Sequence, residues 1–365
     1  MDPIFSNSPD PSDTYSPEEA ATAVAQSTPE EPVLTPVNPS VFSDARRTFS
    51  KVGAAYLVLV AALLVISYAA QYAIYYTAPW LLAEWWMSWV LSLLPLYGGA
   101  LPIAWVILRR VPVSPHNTDY THRGATADKP GFGPGHYMIL LIIAFGCMTA
   151  GGIVGNVIMS ILSAVMDYDY ANGLVSIVNE SPVWATFIGV CICAPIGEEL
   201  LFRKLLIDRT RRFGDLPAIL LSGLLFGLFH GNLFQFYYAA AVGMVLAYLY
   251  TRTGKYWLCV IMHAVINFMG SIVTPNLAAL LPEDMISFTT PAQPFIYLFL
   301  IVWQYGALIA GIVLFCTMLS RRKLSRGITP LYRENGASVM FLNAGMIACL
   351  IAMLFMIAVN LIPIR

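Results

Sequence analysis

Nine apolar stretches, strung between loops that alternate in their basic content, constrain this chain more than any other feature of its sequence. They run Val52 to Tyr76, Trp86 to Leu108, Tyr137 to Val165, Val183 to Ile207, Pro217 to Gly231, Phe234 to Tyr250, Tyr256 to Val273, Pro294 to Leu319 and Ser338 to Pro363. A helix crosses the hydrocarbon of a bilayer with about 20 residues at about 1.5 Å each, so most of the nine are long enough. The fifth and sixth are brief, and with the Gly231-Asn232 turn between them they read as a hairpin that can turn back inside the bilayer.

The loops test this count, because Lys and Arg accumulate on the cytoplasmic side of membrane proteins. Basic residues lie before the first segment (Arg46, Arg47, Lys51) and after the second (Arg109, Arg110, Arg123, Lys129). More close the fourth (Arg203, Lys204, Arg209, Arg211, Arg212), and others follow the sixth (Arg252, Lys255) and the eighth (Arg321, Arg322, Lys323, Arg326, Arg333). The loops between hold only acids: Glu84, then Asp167, Asp169 and Glu180, then Glu283 and Asp284. Parity of this kind predicts a cytoplasmic amino terminus and an external carboxyl terminus at Arg365, and a re-entrant hairpin leaves it unchanged. Only 11% of residues are charged and 58% are hydrophobic, against about 25% charged in a soluble domain. The fold class is therefore all-α, a polytopic transmembrane helical bundle of about eight to nine segments with the lipid bilayer as its surroundings. A water-soluble globule, a nucleic-acid binder and a disulfide-framework scaffold are excluded together.

Residues 1–45 hold eight acids and no Lys or Arg, and are rich in Pro and Ser. Such a tail buries too little apolar surface to offset its ordering entropy, so it is expected to be disordered, with the transmembrane domain spanning 46–365. The loop from Val111 to Gly135, with His116 and His122, reads as a solvated linker, and His136 is given no role. The six cysteines fall inside apolar runs and read as small hydrophobes. Gly151, Gly152, Gly155, Gly306 and Gly311 read as helix-packing positions.

Ionisable groups inside apolar segments are costly, and are the place to seek function. The fourth segment carries Glu198, Glu199 and Arg203; the fifth ends Phe226-Gly227-Leu228-Phe229-His230; the seventh holds His263 and Asn267. Glu199 and Arg203 are i,i+4 neighbours able to pair, whereas Glu198 is turned about 100° away and is free to act on something else. His263 and Asn267 also share a face, offering two donors suited to an oxyanion formed when a carbonyl is attacked.

At these residues the chain resembles the CPBP family, the type II CAAX prenyl endopeptidases and bacteriocin-processing (Abi) proteins. Glu198, Glu199 and Arg203 match its Glu-Glu-x-x-x-Arg motif, Phe226 and His230 its Phe-x-x-x-His, and His263 and Asn267 its His-x-x-x-Asn. The resemblance implies a protease core at 183–274 that hydrolyses a peptide bond in a membrane-associated peptide or protein. Glu198 and His230 would activate water, His263 and Asn267 would hold the oxyanion, and Glu199, Arg203 and Phe226 would support them. It also implies an integral protein of a bacterial plasma membrane. A glutamate mechanism without cofactor is preferred; zinc is the alternative, with Glu198, His230 and His263 as its ligands. A reading from another class is a non-enzymatic membrane protein whose Glu and His serve a proton relay, an immunity function or a scaffold.

Overall fold

In the computed structural model the described residues are 39–114, 132–285, 287–319, 324–325, 327–331 and 335–362. The tail up to residue 38, His116, His122 and Arg365 lie outside them. The protein is an all-helical membrane protein, with no strand among the described residues. Helix α1 runs Pro39–Thr77, so residues 39–45, grouped with the tail on composition, are helical. The helices that follow are α2 (Trp85–Leu108), α3 (Pro134–Met166), the short α4 (Gly173–Glu180), α5 (Val183–Phe213), α6 (Asp215–Phe229), α7 (Leu233–Thr253) and α8 (Tyr256–Ala278). Next come α9 (Gln293–Leu319), α10 (Gly336–Phe341) and α11 (Ala344–Asn360).

Seven of these helices are long and apolar enough to cross a bilayer, and α6 and α11 are shorter apolar helices. The fifth segment is thus as brief as its sequence suggests, at 15 residues, but the sixth forms a 21-residue helix of spanning length. The last apolar run is interrupted, since Asn343 leaves the helix and caps α11, its Oδ1 accepting from the Met346 N–H.

The basic ends of the segments gather at one end of the bundle. Arg212 on α5 bonds Asp44 and Thr48 of α1, and Arg209 donates to the Leu108 carbonyl at the end of α2. Asp208 accepts from Tyr250 near the end of α7, and Asp215 accepts from the Ser325 N–H in the loop beyond α9. Five chain ends that the charge pattern assigns to one side are therefore tied together by hydrogen bonds.

Two apolar cores fill the bundle. One joins α1, α2, α5, α6 and α11 through residues such as Phe49, Tyr56, Phe202, Phe226 and Met346. The other joins α3, α6, α7 and α8 through Ile143, Ala144, Leu246 and Met262. The outer faces stay apolar, with Phe295, Val302 and Ile309 of α9 largely exposed; hydrocarbon tails, not water, suit such a face.

Close packing of α3 against α7 depends on missing side chains. A Cβ on Gly151 would lie 2.4 Å from the Tyr238 backbone, and one on Gly155 would lie 2.7 Å from the Phe234 carbonyl. Gly311 meets Gly146 in the same manner, whereas Gly152 faces open space. Gly151→Ala and Gly155→Ala should each destabilise the protein by about 1–3 kcal/mol through overpacking, while Gly152→Ala should not. Thermal unfolding in detergent checks this ranking, and equal midpoints for all three would contradict it.

Candidate active site

Glu199 and Arg203 are both fully buried, and the Arg203 Nε lies 2.9 Å from Glu199 Oε2. A guanidinium removed from water needs its remaining N–H groups occupied, and among the described residues Nη2 has no hydrogen-bond partner. Nη1 donates to Ser222 Oγ at 3.1 Å, Ser222 passes its own hydrogen to the Phe202 carbonyl, and the Phe226 ring lies 4.9 Å from the guanidinium carbon. The i,i+4 spacing made the ion pair legible. Ser222 was missed, although a lone hydroxyl four residues before Phe226 in an apolar run is a visible signal.

The other Glu199 oxygen holds the third helix. His263 Nδ1 is 2.9 Å from Glu199 Oε1, and because a carboxylate only accepts, Nδ1 carries the hydrogen. The ring is thereby oriented so that Nε2 faces Glu198, 3.8 Å from its Oε2. Glu198 keeps 15% of its side chain exposed where Glu199 has none. The two adjacent carboxylates therefore differ in kind: one is sealed in a network and the other opens on space.

His230 enters from α6. It ends that helix, and its Nδ1 lies 2.8 Å from the Phe226 carbonyl, which fixes the hydrogen on Nδ1 and leaves Nε2 with a lone pair. The turn that follows is clamped. Gly231 takes φ +68°, Asn232 donates to the His230 carbonyl and caps α7 through the Gln235 N–H, and Asn360 of α11 donates to the Gly231 carbonyl. Both histidine rings stand edge-on to the same Phe226 ring, His230 at 5.0 Å and His263 at 5.7 Å between centroids. Phe226 is thus the hub on which Arg203 and both histidines meet.

Asn267 is engaged elsewhere. It shares a face of α8 with His263, as the spacing predicts, but its Nδ2 donates to the Val190 carbonyl at 2.8 Å. The reason lies in α5, where residues Phe187–Cys193 form a π-helical turn and the Ala194 N–H reaches back to Gly189. The next backbone nitrogen belongs to Pro195 and has no hydrogen, so the Val190 carbonyl is left without a helical donor. Asn267 supplies one. The Cys193 and Ile196 carbonyls around the same bend accept from the Tyr97 and Tyr256 hydroxyls, two more contributors that the sequence reading did not single out.

The donor set can be tested against a metal ion. Both Glu199 oxygens are committed to Arg203 and His263, His263 Nδ1 is committed to Glu199, and His230 Nδ1 to a carbonyl. Among the described residues no group of three His, Cys, Asp or Glu side chains is placed to hold a metal ion. Both histidines keep Nε2 available, the nitrogen a metal-bound histidine uses when its other N–H is held by a carboxylate or carbonyl.

Residues 180–269 match the family model described as "Type II CAAX prenyl endopeptidase Rce1-like". All three motif-bearing clusters lie within that segment. The segment is similar to the core of the type II CAAX prenyl endopeptidases. A Bacillus subtilis (strain 168) protein named "Putative membrane peptidase YdiL" is 28% identical over 175 residues, which is 46% of this chain and 65% of that protein. The alignment therefore spans less than two thirds of the relative's length. No solved structure matches the chain.

The buried pair generates a stability prediction. Arg203→Met leaves Glu199 as an uncompensated charge and Glu199→Gln does the same to Arg203, so each should cost about 3–5 kcal/mol. The double variant should recover part of that loss, because neither charge then remains. A double-mutant cycle by unfolding in detergent measures the coupling, and strictly additive losses would argue against the pair.

Proposed function

We propose that the protein is an intramembrane endopeptidase of the glutamate type, acting on a membrane-associated peptide or protein substrate from the basic, cytoplasmic side. The observation that carries this reading is the division of labour between Glu198 and Glu199. A general base must reach its water, and of the two carboxylates only Glu198 is open.

In this mechanism the attacking water is held by the Glu198 carboxylate, with His230 Nε2 as its second acceptor. As its oxygen bonds to the scissile carbonyl carbon, Glu198 takes one proton and the carbonyl electron pair moves onto oxygen. Collapse of this tetrahedral species breaks the C–N bond, and the proton held by Glu198 passes to the leaving amine. His263 and Asn267 are the donors for the oxyanion. Asn267 has a second amide hydrogen beside the one on Val190, whereas His263 donates from Nε2 only as imidazolium, since its Nδ1 hydrogen is given to Glu199. Glu199, Arg203 and Phe226 hold these groups in register and do not touch substrate.

Glu198→Gln and His230→Ala should lower turnover of a cleaved substrate by about 10²–10⁴-fold, the usual range for loss of acid–base assistance, with unfolding midpoints near wild type. Wild-type rates in both variants would refute the assignment. Strong chelators should leave cleavage unchanged under this metal-free mechanism. Loss on chelation with recovery on added zinc would refute it in favour of a metalloprotease.

A further inference from the structure

Away from the catalytic network, a cavity of about 720 Å³ opens between the start of α1 and the α10–α11 junction. Arg46, Arg47 and Lys51 line it, together with Ser50, Asn343 and Ile347. All three cations are exposed, and none is in an ion pair among the described residues. The one acid of α1, Asp44, is bonded to Arg212 instead. The positive charge is therefore not compensated by the chain's own described carboxylates.

The opposite wall adds to it. Gly53 and Gly345 allow α11 to press its first turn against α1, for a Cβ on Gly345 would lie 1.9 Å from the Ser50 carbonyl. The Gly345 N–H donates to Ser50 Oγ, and a helix amino terminus carries partial positive charge. Arg46 is not a loose surface side chain: its Nη2 donates to the Leu342 carbonyl at 2.6 Å, which holds the guanidinium across the opening. Below this charged rim the lining turns apolar with Ala54 and Ile347, and Ile347 continues one turn along α11 into the exposed Ile351. Loop cations that merely set topology require neither a cavity nor a pinned guanidinium nor an apolar floor.

We infer that this cavity binds the phosphate of an anionic phospholipid, with the headgroup among Arg46, Arg47 and Lys51 and an acyl chain along Ile347 and Ile351. Clusters of cations at the cytoplasmic membrane surface attract anionic lipid, and pockets between helices add selectivity to that attraction. Phosphate is the recognised group, and the apolar floor assigns its source to lipid.

The test titrates the full-length protein in detergent with short-chain phosphatidylglycerol, short-chain phosphatidylcholine and inorganic phosphate, and reads the shift in thermal unfolding. Phosphatidylglycerol should stabilise the protein at lower concentration than phosphatidylcholine. The triple variant Arg46→Gln, Arg47→Gln, Lys51→Gln should weaken that effect by about tenfold or more. The pair Arg252→Gln, Lys255→Gln, on the same side of the membrane, should leave it unchanged. Should the triple variant fold poorly, Lys51→Gln alone, on an exposed helix face, carries the test with a smaller loss. A shift with inorganic phosphate that vanishes in the same variant supports the phosphate chemistry but overturns lipid as its source. Equal shifts with both lipids, an undiminished shift in the triple variant, or an equal loss in the Arg252 and Lys255 pair would overturn the site.

Discussion

A guanidinium sealed away from water has to be neutralised where it lies, and the centre of this bundle is arranged around that requirement. Arg203 is met by a carboxylate, a hydroxyl and an aromatic face drawn from two helices. Its partner Glu199 has one oxygen left over, and that oxygen positions the His263 ring of a third helix. Replacing such a pair by apolar side chains often costs little stability. Its value in this fold is therefore better seen in what it orients: a histidine nitrogen aimed at the more open Glu198.

Hydrogen bonding of the backbone shapes the same region. A carbonyl within the bilayer that lacks a helical N–H must find another donor or pay for its burial. Pro195 and the π-helical turn before it create such a carbonyl at Val190, two turns from the glutamates, and the Asn267 amide closes it. The Tyr97 and Tyr256 hydroxyls also donate to backbone carbonyls of this bend, at Cys193 and Ile196. Irregular helix is thus built into the segment that carries the two glutamates, with neighbouring helices recruited to tolerate it. The turn after His230 follows the same logic, with Asn232 and Asn360 binding the carbonyls that α6 leaves behind.

The membrane setting explains why so few groups suffice. Charged residues are confined to the ends of the segments and to the one cluster inside, so each internal polar contact is made against an apolar background. The basic ends converge through Arg212, Arg209, Asp208 and Asp215, residues that lie on or beside the same α5 helix that carries the glutamates. One helix therefore connects the charged rim of the bundle to its buried site.

By itself the sequence determined the class of the molecule, its helical segments, the common side of its basic loops and the identity of the residues that meet at the site. Hydropathy, charge parity and i,i+4 spacing are local properties, and each can be read along the chain without knowing what faces it. Spacing was enough to pair Glu199 with Arg203. It could not show that His263 would be claimed by Glu199, that Phe226 would touch Arg203 and both histidines, or that Asn267 would spend a hydrogen on Val190. Only the tertiary structure decided those contacts, because a hydrogen bond between helices depends on their rotation and separation, and on a backbone orphaned by a proline in a different segment.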